Sequence, residues 1–464
     1  MKQISWRDPA GFVARRDGRI FRAVATHKVA QLEKLLDTQW YRDGIAREWF
    51  PASNWVEDNG AGWLPEIDGR WLEHRALRFP CFPHEITALQ LFDAAKLTID
   101  IAREALVHGW MLKDASAWNV LFEHGKPVFC DILSFEPADD GGIWQPYAQF
   151  FRHFVIPLLI YRSTGMQPAA LFLVHRDGIE PAAARAMIHG MRAWRQPALE
   201  AVTLPVLFNR GGGAARPRQA PGTKDIKLAR FLLERTLRRL GKHIDALRPL
   251  GPKRPSKWEN YEADRHHYSA ADVSAKTAFV AEAVNHREIS TVLDLGCNAG
   301  EFSKLAASAG KQVVAADFDA GALGRLYAEL REQKLDIAPI LLDIGRPTPA
   351  IGWMNQEVDS FVDRARGQFD CILALGLVHH LLVSERASLS MILAFFDALD
   401  PGFLVLEWIE QSDRRFVEIA GLNEGLYADL SMAAFEQIFL TRYDLLGRQS
   451  LPSGSRTLFF FKKR

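Results

Sequence analysis

Glycines and acidic residues recur in the second half of the chain at spacings suited to a nucleoside-containing ligand. The segment TVLDLGCNAGEFSKLAASAG starts at Thr291 and contains Gly296 and Gly300, and the next segment, QVVAADFD, contains Asp317, 17 residues after Gly300. Glycine lets the backbone approach a ligand without interference from a Cβ atom. A carboxylate at the end of the next strand is placed to accept hydrogen bonds from both ribose hydroxyls. These residues predict a site for a ribose-containing cofactor.

An alternation of strands and helices must position these residues. TVLDLG reads as a short strand that runs into a turn and a helix, and QVVAADFD reads as a second strand. Three more strand-like segments follow: APILLDIGRP, whose strand ends at Asp343, FDCILALGLVHHL, which starts at Phe369, and GFLVLEWIE, which ends near Glu407. Because helical stretches separate them, the pattern predicts a parallel, doubly wound α/β sheet.

The turn after the first strand separates two classes of cofactor. An NAD-binding enzyme would normally read GxGxxG here, whereas this chain has GCNAG from Gly296 to Gly300. The whole set of motifs resembles the class I S-adenosylmethionine-dependent methyltransferases. The resemblance implies a Rossmann-like, seven-stranded methyltransferase sheet that ends in an antiparallel pair of strands around 439–445 and 456–461. A cofactor-free Rossmann-like module is the alternative.

The same resemblance implies which residues hold the cofactor, S-adenosylmethionine. In that family the glycine motif cradles the methionine end, the acid at Asp317 holds the ribose, and the acid at Asp343 contacts the adenine amine. The cofactor-binding residues are therefore predicted to be Asp294, Gly296, Asn298, Gly300, Asp317, Asp343 and Leu375.

Two adjacent histidines, His379 and His380, lie just past the fourth strand. Methyl transfer from a sulfonium is an in-line displacement, so much of the rate can come from positioning. A base is needed only when the acceptor carries a proton of high pKa. The family usually lines its substrate pocket at this place, so His379 and His380 are the candidate bases. The alternative is that they pack against or cap the turn.

Two further stretches stand where a lid would be expected. TPAIGWMNQEVDSFVDRAR, between the third and fourth strands, contains Trp353, Asn355 and Glu357 in a connection longer than most. KWENYEADRHHYS, before the first strand, contains Tyr261 and Tyr268. These side chains are candidates for a lid or for contacts with substrate, and surface packing is the alternative for each.

A second chemical spacing occurs in the first half, in LKDASAWNVLFEHGKPVFCDILSFE, where Asn119 follows Asp114 by five positions and Asp131 ends a strand. Protein kinases and aminoglycoside-type phosphotransferases use such an Asp for the acceptor hydroxyl, the Asn for magnesium and the second Asp to bridge magnesium and phosphates. The segment 84–154 resembles their C-terminal lobe. The resemblance implies an α+β, protein-kinase-like domain with a possible site for Mg-nucleotide.

Departures from the kinase pattern argue against phosphate transfer. The sequence has no GxGxxG loop and no VAIK-type lysine. Lys113 stands where an Arg or a Gly usually precedes the first Asp of the motif. Arg22 is a poor substitute because a guanidinium does not imitate a lysine point charge on phosphates. The prediction is a degenerate domain that binds a substrate or partner, and a bifunctional phosphotransferase-methyltransferase is the alternative.

Glycine and proline punctuate the stretch between the two halves. It opens with RGGGAARPRQAPG and closes with RPLGPKRPSK, and the intervening DIKLARFLLERTLRRLGKHIDAL has apolar residues at helical spacing. The predicted organisation is a kinase-like domain at 1–208, a basic linker and helix at 209–257, and a methyltransferase domain at 258–464. The basic excess of the linker could contact a phosphate-bearing substrate or RNA, or be a solvated face.

Composition restricts the possible partners. The 464 residues carry a formal net charge of +1, so nucleic acid and acidic membranes are not expected as partners. The start, MKQISWRDPAGF, lacks the apolar stretch of a signal peptide, and the run 154–161 is far shorter than the ~20 residues that span a bilayer. We therefore expect a cytoplasmic protein. The four cysteines lack metal-ligand spacing, so no metal site is predicted.

Taken together, LKDASAWNVLF, CDILSFE, GCNAG, GWMNQE and ALGLVHHL are similar to a bacterial methyltransferase family that includes a rhizobial host-specific nodulation protein. The similarity spans most of the chain and implies the same two-part architecture. The predicted function is methyl transfer from S-adenosylmethionine to a small-molecule or saccharide-type acceptor. A non-catalytic protein that senses the cofactor is the alternative.

Overall fold

The computed structural model describes residues 1–57, 64–65, 67–138, 143–208, 226–249, 268–333, 335–427 and 429–464. The chain divides into two compact units. The first unit comprises Met1–Gly251 together with Ile351–Val358, and the second unit comprises Pro252–Ala350 and Asp359–Arg464. The short segment Ile351–Val358 therefore belongs to the first unit, although both of its flanks in the chain belong to the second.

The first unit begins with an antiparallel sheet in the order β1-β2-β3-β5-β4. Two further antiparallel pairs, β6 with β9 and β7 with β8, follow the long helix of this unit. The strands are β1 (Lys2–Gln3), β2 (Gly11–Arg16), β3 (Arg19–Ala25), β4 (Ser53–Trp55), β5 (Gly69–His74), β6 (Trp110–Leu112), β7 (Val120–Glu123), β8 (Lys126–Phe129) and β9 (Phe135–Pro137).

The longest helices of the first unit pack on each other. The helix 88–107 starts at a capping box in which the Thr87 hydroxyl accepts from the backbone N–H of Gln90, and most of its apolar side chains are buried. It packs against the helix 226–245, which buries Leu233, Leu237 and Leu240. The helices are α1 (Thr26–Leu36), α2 (Gln39–Ala46), α3 (Ala88–Val107), α4 (Tyr147–Phe150), α5 (Ile156–Thr164), α6 (Pro168–Val174), α7 (Pro181–Met187), α8 (Leu204–Phe208) and α9 (Ile226–Asp245).

The second unit is built on a seven-stranded sheet, counted over the described residues, in the order β12-β11-β10-β13-β14-β16-β15. The first five strands of this order run parallel, and β16 pairs antiparallel with both β14 and β15. The strands are β10 (Thr291–Leu295), β11 (Gln312–Asp317), β12 (Ile337–Leu341), β13 (Cys371–Ala374), β14 (Phe403–Ile409), β15 (Tyr443–Ser450) and β16 (Arg456–Lys463).

Helices alternate with these strands and bury the sheet. Val280, Leu323 and Leu326 from the helices pack with Val292, Val313 and other strand residues in one apolar cluster. The helices are α10 (Ala270–Val284), α11 (Glu301–Ser308), α12 (Ala320–Leu330), α13 (Phe361–Ala365), α14 (Val378–Val383), α15 (Leu389–Leu399), α16 (Arg414–Ala420) and α17 (Met432–Phe439). The mixed α/β class predicted from the sequence is confirmed.

Across the described ranges, helices of sufficient length are too polar to cross a membrane, and apolar ones are too short.

The turn between β10 and α11 depends on glycine. Gly300, which precedes the first residue of α11, has φ +77°, a left-handed value that costs residues with a side chain about 1–2 kcal/mol. A Cβ atom added there would also lie 2.7 Å from Cδ1 and Cδ2 of Leu326. Gly310, after the same helix, has φ +78°, but nothing lies within 4 Å of its added Cβ. The two glycines therefore share the backbone strain and differ in the steric contact.

This pair gives a matched test of the turn. We expect Gly310→Ala to lower the free energy of unfolding by about 1–2 kcal/mol through backbone strain alone. Gly300→Ala should lower it by about 1–3 kcal/mol more, because Leu326 must move within a packed core. Urea denaturation followed by circular dichroism measures both losses, and equal losses would show that the Leu326 contact does not restrict the turn.

Candidate functional site

A cavity of about 390 Å³ opens at the carboxyl edge of the parallel strands in the second unit. Residues directly after β10, β11, β12 and β13 line it, as is usual for ligand sites of open α/β sheets. The structure brings the predicted residues Asp294, Gly296, Asn298, Asp317, Asp343, Leu375, His379 and His380 to this one cavity. Gly300 lies next to them and shapes the turn.

Asp317, the last residue of β11, fixes the backbone around the cavity. One carboxylate oxygen accepts the N–H of Asn298 at 2.7 Å, and the other accepts the N–H of Asp319 at 2.7 Å. The side chain is buried, and burial raises its pKa to about 6, although these two backbone bonds favour the charged form. The carboxylate therefore holds the glycine turn and the start of α12 while it borders the cavity.

Asp294 is a second buried carboxylate in the same wall. Its Oδ2 accepts a hydrogen bond of 2.5 Å from the Ser303 hydroxyl on α11. Burial raises its pKa to about 7, and the nearby charge of Asp317 adds to that effect. At both acids, specific hydrogen-bond donors favour the charged form and oppose the burial that raises the pKa.

Asp343 and Leu375 occupy the cavity rim in different ways. Asp343 is more exposed than the other two acids, and its carboxylate accepts from the Gly345 N–H and the Arg346 side chain, each at 3.0 Å. Leu375 follows β13 and packs partly against the core. Phe318, which the sequence analysis did not select, lines the cavity beside Asp317 with 61% of its surface exposed. An exposed ring at this place offers a flat apolar surface to a ligand.

His379 and His380 begin the first turn of α14, with their ring centroids 4.2 Å apart. Burial holds the pKa of His379 well below its usual value, and the neighbouring His380 adds to this. Burial and, less strongly, the charge of Arg415 lower the pKa of His380 to about 4. Nδ1 of His379 is buried without a hydrogen-bond partner. Both imidazoles are therefore neutral near pH 7 and weak as bases.

A buried group of charges behind the cavity was missed in the sequence analysis. Glu407 on β14 is fully buried and accepts from Lys276 Nζ at 2.8 Å and from the Tyr268 hydroxyl at 2.7 Å. Burial alone would raise the pKa of Glu407, but the charges of Lys276 and Arg456 outweigh it and lower the pKa. An acid inside the apolar segment FLVLEWI was the available signal, because a buried charge requires a partner.

Arg456 connects this group to the start of α16. Its guanidinium makes two hydrogen bonds with the Asp413 carboxylate, at 2.9 and 3.0 Å, and lies 4.3 Å from the centre of the Tyr268 ring. Lys276 and Arg456 also line the cavity. The predicted lid residue Tyr268 is therefore a hydrogen-bonded support of the cavity wall. Tyr261 lies outside the described residues.

The predicted lid residues Trp353, Asn355 and Glu357 do not line this cavity. They belong to the first unit and line a separate groove there. The expectation that this insertion closes over the cofactor site stays a prediction. Within the first unit, the ion pair between the Glu357 carboxylate and Arg176 holds the insertion in place.

The kinase-like residues of the first unit lie together near β6 to β8. Asp114 accepts the Ser116 N–H at 2.9 Å and the Gln149 amide at 2.8 Å, and burial, together with the nearby charge of Asp131, raises its pKa. Asn119 ends a short 3-10 turn, and its Nδ2 is buried without a partner. The kinase-like roles of Asp114 and Asn119 stay predictions.

The Asp131 carboxylate forms an ion pair with an arginine of the same unit. The Arg22 guanidinium, on β3, lies 2.9 Å from Oδ1 of Asp131 with only 8% of the side chain exposed, and the Ser134 hydroxyl donates to the other oxygen. Arg22 also donates to Nε2 of His74 at 3.2 Å. Burial and the charge of Arg22 lower the pKa of His74 to about 3, so that imidazole stays neutral. The cation beside Asp131 is therefore part of the chain.

The chain matches one protein-family model and one curated relative. Residues 261–442 match the family model described as a methyltransferase domain. The nodulation protein NoeA of Rhizobium meliloti (strain 1021) is 26% identical over 464 residues, which cover 99% of this chain and 95% of that protein.

Parts of the chain also match solved structures. The N-methyltransferase NodS from Bradyrhizobium japonicum WM9 has a TM-score of 0.31 at 15% sequence identity. The matched region covers 42% of this chain and 98% of the NodS chain. The bifunctional kinase-methyltransferase WbdD has a TM-score of 0.31 at 17% sequence identity. The matched region covers 45% of this chain and 43% of the WbdD chain.

Proposed function

We propose that this chain, which is an S-adenosylmethionine-dependent methyltransferase, methylates a small-molecule or saccharide-type acceptor in the cytoplasm. The observation that carries the proposal is the cavity at the carboxyl edge of β10 to β13, where Asp317 closes the glycine turn and faces the open space. When bound, the cofactor supplies an electrophilic methyl group on a sulfonium. The residues of the chain bind and orient the cofactor and the acceptor, and they exclude water from the cavity.

The cavity lining fits the parts of that cofactor. Asp317 has lone pairs beyond those used by its two backbone donors, so it can accept from ribose hydroxyls. Phe318 offers a ring for an adenine face, and Asp343 an acceptor for its amine. Gly296 and Asn298 both have positive φ, and this backbone conformation forms the turn that would surround the methionine end of the cofactor.

The ribose assignment is tested by Asp317→Ala. Each hydrogen bond to a charged group contributes about 1.5–3 kcal/mol, so affinity for S-adenosylhomocysteine should fall roughly tenfold or more. In the wild type, affinity should also decline as pH drops through about 6, because the carboxylate with that pKa becomes protonated and loses acceptor capacity. The variant should lack this step. Calorimetry between pH 5 and pH 8 measures both effects, with Asp343→Ala as a milder comparison.

The methyl-transfer reaction itself is followed with labelled donor. Full-length protein, isotopically labelled S-adenosylmethionine and a metabolite extract should give S-adenosylhomocysteine and a labelled acceptor, and Asp317→Ala should give far less of both. Unchanged affinity in a folded Asp317→Ala protein would remove the ribose assignment. Tight cofactor binding without any turnover would favour a sensor.

We propose His379 and His380 as the acceptor-facing imidazoles, because both border the cavity in neutral form. A neutral ring can take a proton from an acceptor only weakly at such low pKa, so positioning contributes most of the rate. His379→Ala and His380→Ala should lower kcat more than cofactor affinity. His380→Gln, which keeps polarity but cannot take the proton, separates shape from base catalysis. Wild-type rates for all three variants across pH would exclude both imidazoles as the base.

For the first unit we propose a kinase-like fold that binds substrate or a partner without transferring phosphate. The antiparallel sheet β1 to β5 followed by a mainly helical half, and the grouping of Asp114, Asn119 and Asp131, support the fold. The ion pair of Arg22 with Asp131 supports the loss of catalysis, since it neutralises the carboxylate that would bridge magnesium and phosphates. Binding of Mg-nucleotide, if it occurs, is expected to be weak.

Asp131→Asn tests that assignment. Methyl transfer should stay within a few-fold of wild type, while the first unit becomes less stable by about 3–5 kcal/mol because the buried Arg22 loses its charge partner. Full-length wild-type protein should transfer no phosphate from radiolabelled ATP in the presence of magnesium. Phosphate transfer at an ordinary kinase rate that stops on Asp114→Ala would instead make the protein bifunctional.

A further inference from the structure

A groove of about 590 Å³ lies within the first unit, apart from the residues of the kinase-like motif. The N-terminal segment, the region around α6 and the segment Ile351–Val358 form its walls. Its volume is in the range of small-ligand sites. The side chains that the argument uses are Trp6, Phe172, Arg176, Trp353, Asn355 and Glu357.

Two indole rings remain exposed at this groove. Trp353 is 65% exposed and Trp6 is 36% exposed, whereas Phe172, which also lines the groove, is 1% exposed. Leaving large apolar rings in water forgoes about 25 cal/mol for each Å² that could be buried. Scattered apolar residues are common on surfaces, but two indoles that line one groove form a ready contact surface.

The insertion that carries Trp353 is held in a defined shape. Ile351 and Val358 form an antiparallel bridge, and Glu357 accepts the N–H of Trp353 at 3.1 Å. Met354 has φ 52°, a left-handed value that its side chain disfavours, and Asn355 has φ 58°, which asparagine tolerates. Such strain persists only where surrounding contacts enforce it, so the loop presents Trp353 and Asn355 in a fixed arrangement.

The charged side chains of the groove are already paired. Glu357, with 7% of its side chain exposed, binds Arg176, and Arg7 forms an ion pair with Asp177. Each described charged side chain that lines the groove therefore already has an opposite charge beside it, which favours an uncharged ligand. The amide of Asn355 is exposed at the same wall and can donate and accept together.

The floor of the groove connects to the kinase-like motif. The Arg176 carbonyl accepts from the Trp118 indole at 2.8 Å, and the ring of Trp118 lies 6.3 Å from that of Phe172. Trp118 directly precedes Asn119 in the chain. The groove is thus built on the same local structure that holds Asp114 and Asn119.

We propose that this groove is a binding site for an uncharged saccharide, which rests on the proposed function and gives its acceptor class a place on the first unit. A pyranose presents a flat face of weakly positive C–H groups, which stack on the negative face of an indole, and its hydroxyls pair with planar amides and ion-paired guanidinium groups. A proline-rich peptide would use the indoles but not the polar wall, so the saccharide fits more of the lining.

The test uses free neutral tetrasaccharides, namely maltotetraose, cellotetraose, tetra-N-acetylchitotetraose and mannotetraose, with the full-length protein. Saturation-transfer NMR should show ring C–H contacts for at least one of them at millimolar concentration. Trp353→Ala should weaken that binding by about tenfold or more, as removal of an aromatic anchor does. Asn355→Gly, which tolerates the positive φ and removes only the amide, should weaken it less.

Trp194→Ala is the matched control, because Trp194 is also 56% exposed on the first unit but does not line the groove. It should bind the sugar as the wild type does. No contact with any tetrasaccharide, equal binding by Trp353→Ala, or binding of a proline-rich peptide in place of sugars would overturn the proposal. Production of S-adenosylhomocysteine is measured separately, so a failed sugar site and a failed methyltransferase assignment give different results.

Discussion

The contact on which the proposed cofactor cavity depends is the one between the Asp317 carboxylate and two backbone N–H groups. Those donors belong to Asn298 in the glycine turn and to Asp319 at the start of α12. A buried carboxylate beside a second acid, Asp294, would otherwise tend to take up a proton, and its raised pKa shows that tendency. The turn keeps the acid charged, and the acid keeps the turn in place.

A second constraint acts from behind the cavity. Glu407 on β14 has no exposure, its charge is compensated by Lys276 and Arg456, and the Tyr268 hydroxyl donates a hydrogen bond to it. Taking any one cation away from such a group leaves a buried charge unpaired, at a cost of about 3–5 kcal/mol. Lys276 and Arg456 thus line the cavity while they neutralise the buried acids behind it.

Local patterns in the sequence predicted the parallel strands and the glycine turn, because these depend on residues close together in the chain, whereas the antiparallel end of the sheet followed from the resemblance to the methyltransferases. Contacts between distant residues were not predictable. Lys276 is 131 residues from Glu407 in the sequence, and Arg22 is likewise far from Asp131 in the sequence although the two side chains form an ion pair. The ion pair of the loop that carries Trp353 with Arg176 is a third contact of this kind within the first unit.

The central claim is that Asp317 holds both the turn and the cofactor. A crystal structure of the protein with S-adenosylhomocysteine tests this most directly. We expect both ribose hydroxyls within hydrogen-bond distance of the Asp317 carboxylate, at about 2.5–2.7 Å, with the bonds from Asn298 and Asp319 retained. A ligand whose ribose contacts other residues, or an Asp317 carboxylate turned away from the nucleoside, would contradict the account.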